Sequence, residues 1–196
     1  IPIDMVSGTS MGAIVGALYA RYEDPAQVWQ ALDRYTSDGE FAAQWAAFVP
    51  HRNDDGEVVV RPWHSLFDFM QRGRIAVKTM TARSVESAAR LRGPLARLFE
   101  GCERFEDLKL PLATVAVDLE SGEMVVFHEG SLLDGLYASC AIPSVFPPFE
   151  RDGRMIVDGG GPFRVPVEAC RELGADFVIA VDIPGYHETT LRNGFD

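Results

Sequence analysis

A serine set between glycines, Gly8-Thr9-Ser10-Met11-Gly12, matches the pattern G-x-S-x-G. In that pattern a strained turn lifts a serine hydroxyl to the top of a sheet, where it can attack a carbonyl carbon. The preceding run Ile1 to Val6 is apolar with a β-branched bias. From Met11 to about Tyr22 a helical pattern carries Ile14, Val15, Leu18 and Tyr19 among small residues, so strand, tight turn and helix surround the serine. Gly8 and Gly12 are expected to let neighbouring backbone approach where a Cβ would block it. The helix start at Met11 places partial positive charge where a tetrahedral intermediate develops negative charge. The competing explanation is a glycine-rich turn whose serine only caps the helix.

A serine hydroxyl needs a base, and histidine is the usual one. His51 and His64 fall in an irregular stretch and His128 ends a hairpin strand, positions that suit ordinary surface or core histidines. His187 follows a strand end late in the chain, which fits the order serine, acid, histidine of an α/β-hydrolase. The other candidate is Asp158, where a strand runs into Gly159-Gly160-Gly161, although Asp-Gly is also a common turn dipeptide. The reference pKa of aspartate lies about 2.6 units below that of histidine, a deficit of roughly 3.5 kcal/mol in proton affinity. A dry pocket and donors aimed at the oxyanion would recover it. Spacing alone leaves both bases open. Ser139, in a helical stretch without elbow glycines, is not read as a nucleophile, and Asp118 and Asp182 are read as structural strand ends.

The elements that must position these residues follow from pattern and punctuation. Asp24-Pro25 launches a second helix through Val28, Trp29 and Leu32. The stretch 36–107 reads as a mostly helical insertion, with a loop at Asn53 to Gly56, a helix from Pro62 to Met70, and a helix from Thr81 broken at Gly93-Pro94. Leu112 to Val117 reads as a buried strand, paired with Val125 to Phe127 across Glu120-Ser121-Gly122. A helix at Leu133 to Cys140, a hairpin turn at Asp152-Gly153, the strand Arg154 to Val157, a helix at Val167 to Leu173 and a strand at Phe177 to Val181 follow. Strands alternating with helices imply an α/β fold with a largely parallel sheet covered on both faces.

With 196 residues, 47% of them hydrophobic, the chain suits one domain with a real core. Its net charge of -11 argues against nucleic acid as a partner. Seven basic residues between Arg72 and Arg97, against the single acid Glu86, could meet phosphate headgroups or form a solvated helical face. Three widely spaced cysteines, Cys102, Cys140 and Cys170, suggest neither disulfides nor a zinc site and fit a reducing compartment. No apolar run approaches the roughly 18 residues of a membrane span. The expectation is a cytoplasmic protein, peripheral to membranes at most.

Taken together, the motifs resemble the patatin-like phospholipase family of serine lipid acyl hydrolases. The resemblance rests on Gly8-Thr9-Ser10-Met11-Gly12-Ala13, on Ala138-Ser139-Cys140-Ala141-Ile142-Pro143 with Phe146-Pro147-Pro148, and on Val157-Asp158-Gly159-Gly160. Gly174-Ala175-Asp176 and the run Phe177 to Asp182 extend it. It implies a three-layer α/β/α sandwich over residues 1–196, a Ser10–Asp158 dyad without histidine, and an acyl-enzyme route to ester hydrolysis. Gly8, Met11, Gly12, Gly159 and Gly160 would support substrate and oxyanion, with no cofactor and no metal. The implied partner is a lipid or other acyl ester, met in transient contact with a membrane surface. A Ser-His-Asp esterase using His187 and a regulatory module without turnover are the alternatives.

Two departures accompany the resemblance. Family members carry a first strand and a glycine-rich oxyanion loop upstream of the elbow, and this stretch begins too late to include them, so slow turnover is expected of it in isolation. Where the family has asparagine before the proline-valine step, this chain reads Pro162-Phe163-Arg164-Val165-Pro166, which puts the support of Asp158 in question.

Overall fold

The strand Leu112–Asp118 is buried along its whole length, as expected of a strand covered on both faces. It organises a computed structural model that describes residues 1–37, 39, 51–52, 58–59, 84–143 and 145–183. In chain order the elements are β1 (Val6–Thr9), α1 (Met11–Tyr22), α2 (Pro25–Ser37), β2 (His51–Arg52), β3 (Val58–Val59) and α3 (Ser84–Leu98). They continue with β4 (Leu112–Asp118), β5 (Met124–Phe127), α4 (Leu132–Cys140), β6 (Phe149–Arg151), β7 (Arg154–Asp158) and α5 (Val167–Glu172).

Strand β4 pairs parallel with β1 and antiparallel with β5 and β7, and β6 closes a hairpin onto β7. The sheet is therefore mixed. Residues Leu112 and Ala116 of β4 join the larger core with α1, α3 and α4, whereas Ala113 and Val115 meet Ala169 of α5. This alternation of faces produces the expected α/β/α layering. Small residues let α1 lie close to the sheet: a Cβ on Gly16 would stand 3.0 Å from Val6 Cγ1. The hairpin between β6 and β7 turns on Asp152 (φ 52°) and Gly153 (φ 76°), the pair of positive φ values that matches the twist of the flanking strands. Asp24 caps α2 by accepting the Ala26 amide at 2.9 Å.

Three expectations need correction. The first strand does not occupy Ile1 to Val6 but runs into the glycine motif at Val6–Thr9. Its ladder partner begins only after Pro111, which has no amide to donate, and Ile1 and Ile3 are exposed. Gly93-Pro94 does not break α3, which continues to Leu98 with Pro94 inside it. Leu91 and Leu95, both fully buried, bracket the proline, and this packing outweighs the lost backbone bond. The run Phe177 to Val181 forms no strand: Phe177 is 82% and Val181 76% exposed. Apolar composition makes a strand only where a ladder partner exists, and no described segment pairs with it. The proposed helix at Pro62 to Met70 lies outside the described residues.

Asp118 ends β4 as expected, whereas Asp182 ends no strand, because the run before it forms none. Burial works against the Asp118 carboxylate, but Arg154 and the Glu120 and Ser121 amides hold its pKa below the usual value. Asp182 pairs with Arg164 at 2.9 Å on the surface. Phe146 is core, with Val145 and Phe149 packed against it. Arg92 of the basic stretch is also committed internally: it pairs with Asp134 at 2.7 Å and lies 4.5 Å from the centre of the Tyr137 ring. Arg72, Arg74, Lys78 and Arg83 lie outside the described residues. Among the described residues no helix is long and apolar enough to cross a membrane.

Candidate active site

The chain passes from β1 to α1 through a single residue, Ser10, held at φ 56° and ψ -124°. A capping serine takes extended dihedrals and accepts a first-turn amide with its hydroxyl. Ser10 does neither, making no side-chain cap bond, so the capping explanation of the motif fails. The positive φ is a strained conformation for a residue with a Cβ, of the kind that costs about 1–3 kcal/mol and persists only where surrounding structure enforces it. Enforcement comes from Gly8, where a Cβ would lie 2.3 Å from the Gly12 carbonyl oxygen. The two motif glycines differ: a Cβ on Gly12 meets nothing within 4 Å among the described residues, contrary to the expectation that both admit close backbone.

The first amide to bond inside the helix is that of Ala13, to Ser10 O at 2.9 Å, which leaves the Met11 and Gly12 amides at the positive end of α1. No acidic side chain occupies that first turn to neutralise it.

Asp158 ends β7 opposite Ala116 of β4, while Thr9, the residue before Ser10, pairs with Val115. The sheet register thus brings Ser10 and Asp158 together across 148 positions of sequence. The carboxylate is 4% exposed. Its Oδ1 accepts the Gly160 amide at 2.7 Å, and its Oδ2 has no hydrogen-bond partner among the described residues. Burial pushes the Asp158 pKa up to about 6, partly opposed by the nearby Ser10 hydroxyl and the Gly160 amide. Resting hydrogen bonds in catalytic pairs are often long and tighten only with substrate. Ser10 itself is only half-buried, so it is more accessible from solvent than Asp158.

The turn after Asp158 is fixed by backbone groups. The Phe163 amide donates to Gly159 O at 2.8 Å, Thr9 Oγ1 donates to Phe163 O at 2.7 Å, and Ser7 Oγ donates to Pro166 O at 2.9 Å. Ser7 and Thr9 stand two apart on β1 and so share one face. Phe163 therefore contributes its carbonyl, and the Phe163-Arg164 departure leaves the turn anchored. Gly159 packs on β4, where a Cβ would sit 3.2 Å from Ala116 Cα, and a Cβ on Gly160 would stand 2.9 Å from Asp158 Oδ1.

The end of α4 completes the site and was not recognised from sequence as part of it. Ser139 accepts the Ser10 amide at 2.8 Å. Cys140 is fully buried beside the pair, and burial, together with the Asp158 charge, pushes its thiol pKa well above the usual value. The signal was available: Ser139 and Cys140 belong to the motif at Ala138 to Pro143, whose chemical use spacing alone does not reveal. Of the histidines, His128 is exposed after β5, and His51 belongs to β2. His64 and His187 lie outside the described residues.

A family model described as patatin-like phospholipase matches residues 1–171. The chain is 28% identical over 195 residues to patatin-like phospholipase domain-containing protein 7 of Mus musculus, covering 98% of this chain and 12% of that protein. It is 28% identical over 193 residues to patatin-like phospholipase domain-containing protein 6 of Homo sapiens, covering 97% of this chain and again 12% of the relative. An uncharacterized NTE family protein of Mycobacterium bovis is 30% identical over 189 residues, 96% of this chain and 43% of that protein. The chain thus spans less than half the length of these relatives. On the match over residues 1–171, the chain belongs to the patatin-like phospholipase family.

Proposed function

We propose that this domain hydrolyses carboxylic esters of lipids through a Ser10–Asp158 dyad. The observation that carries the reading is the pairing of a strained, non-capping serine with a buried carboxylate whose Oδ2 is unpartnered among the described residues. A carboxylate raised to about 6 recovers most of the proton affinity that aspartate lacks relative to histidine. The lipid class is drawn from the family, whose named members are patatin-like phospholipases.

In the proposed reaction Ser10 Oγ attacks the ester carbonyl carbon while its proton passes to Asp158 Oδ2. The carbonyl oxygen becomes an oxyanion facing the Met11 and Gly12 amides at the start of α1. Collapse of the tetrahedral intermediate breaks the bond to the alkoxy oxygen, and protonated Asp158 returns its proton to that oxygen, freeing the alcohol. Water then attacks the acyl-serine, giving a proton to Asp158. The second collapse breaks the acyl bond to Ser10 Oγ, which takes its proton back from Asp158, and releases the fatty acid, which ionises in solution. Gly159 and Gly160 hold the base, and Gly8 holds the elbow. Substrate reaches the site in transient contact with a membrane surface.

The test is adduct formation in the intact parent protein with an alkyl fluorophosphonate, read by mass. A Ser10 adduct lost in Asp158→Asn and kept in His187→Ala supports the dyad. Dependence on His187 would transfer the role of base to that residue, and a Ser10 that never labels in folded protein would make the domain a non-catalytic module.

A further inference from the structure

We infer that Ser139 is a positioning residue for the nucleophile, acting through the Ser10 backbone; the inference rests on the hydrolase reading above. Ser139 is fully buried, and its hydroxyl is used in both senses. Its oxygen accepts the Ser10 amide at 2.8 Å, and its proton goes to Val115 O at 2.7 Å. Val115 is the residue that pairs with Thr9, and its neighbour Ala116 pairs with Asp158. The hydroxyl therefore ties the strained residue to the same two-residue step of β4 that carries the base. Gly159 rests on that step too, since a Cβ there would lie 3.3 Å from Val115 O.

The chemistry of the elbow explains why such a tie is needed. With φ at 56°, Ser10 directs its own amide away from the helix that begins at the next residue, and that amide has no backbone partner among the described residues. A buried N–H must be matched, and a hydroxyl accepts it while its own proton is spent on a carbonyl. Ser139 thus never touches the ester. Its effect is to fix where Ser10 Oγ stands relative to Asp158 Oδ2, and a misplacement of about 1 Å between reacting groups costs on the order of a hundredfold in rate.

The experiment uses the intact parent protein and three forms: wild type, Ser139→Ala and Ser139→Cys. Three quantities are read: the rate of Ser10 phosphonylation by an alkyl fluorophosphonate, kcat per titrated site on a short-chain p-nitrophenyl ester, and KM. In Ser139→Ala, phosphonylation and kcat per site fall together by about thirtyfold, equivalent to about 2 kcal/mol at 1.36 kcal/mol per tenfold, while KM changes less than threefold. Ser139→Cys, a weak donor and acceptor in nearly the same shape, falls in between, about fivefold below wild type. It also provides the reading if the alanine variant does not fold.

A merely structural Ser139 lowers thermal stability and the amount of titratable protein but leaves kcat per site at the wild-type value, and that result overturns the inference. Wild-type rates in Ser139→Cys overturn it as well. If wild-type Ser10 never labels, the hydrolase reading falls and this inference with it; if wild type labels and Ser139→Ala labels equally fast, only this inference falls.

Discussion

Ser10 and Asp158 are mounted on consecutive residues of one strand: Thr9, which delivers the serine, pairs with Val115, and the aspartate pairs with Ala116. The parallel β1–β4 ladder and the antiparallel β4–β7 ladder meet at that step. The spacing of Ser10 and Asp158 is therefore set by backbone register rather than by flexible side chains.

The first prediction concerns pH. In the proposed reaction Asp158 must be ionised to accept the Ser10 proton, and burial has raised its pKa to about 6. The acid limb of kcat/KM is expected to titrate near that value, falling tenfold per pH unit below it and flat above. A limb near 4 would mean that the carboxylate is solvated in the working enzyme.

The second is a trade between stability and activity at Asp158. A carboxyl whose pKa rises on folding favours the folded state only while protonated, and the ionised form costs stability as pH climbs from about 4 through 6. The rise from 3.8 to about 6 corresponds to about 3 kcal/mol at pH 8 as an upper figure. Asp158→Asn should therefore lower kcat by about 10²–10⁴-fold and raise Tm at pH 8, with the gain vanishing near pH 3.5. Thermal unfolding at both pH values checks the sign.

The third sets the motif glycines against each other. Gly8→Ala drives a methyl to 2.3 Å from the Gly12 carbonyl oxygen, so loss of more than about 3 kcal/mol, or failure to fold, is expected. Gly12→Ala places its methyl in open space in the first helical turn, where stability should change by less than about 1 kcal/mol. Urea unfolding of the two variants measures the difference.

The fourth tests the support of the base. Gly160→Ala brings a Cβ to 2.9 Å from Asp158 Oδ1 while leaving the core intact. A kcat loss of about a hundredfold with a far-ultraviolet dichroism spectrum like wild type is the expected outcome.

The fifth separates Arg92 from its basic neighbours. Its guanidinium lies over Tyr137 and pairs with Asp134, so Arg92→Ala should cost about 1 kcal/mol of stability and leave binding to anionic vesicles unchanged. Sedimentation with phosphatidylserine-containing vesicles reads the second half.

Much of this was legible in the sequence because local chemistry and fold agreed. Asp152-Gly153 made its turn, the Leu112 to Val117 run became β4, and the glycine motif became an elbow. What remained hidden depends on contacts between distant segments. The Ser139 bonds to Ser10 and Val115 span 129 and 24 positions and leave no periodic trace. Gly12 looked equivalent to Gly8 because spacing reports a missing Cβ and not what that Cβ would meet. The run Phe177 to Val181 had the composition of a strand, but composition does not supply a ladder partner. Pro94 looked like a helix end because its local penalty was visible while the burial of Leu91 and Leu95 was not.

The three buried cysteines give the molecule a built-in gauge of its own opening. Cys140 lies beside Ser10 and Asp158, Cys170 donates to Ser7 behind β1 at 3.1 Å, and Cys102 follows α3. Each thiol is shielded in the closed fold, so alkylation at a given cysteine records how often that region exposes its interior. Mass-resolved alkylation with and without a phosphonate on Ser10 would therefore show whether occupying the elbow quiets the surroundings of Cys140 alone or those of all three thiols.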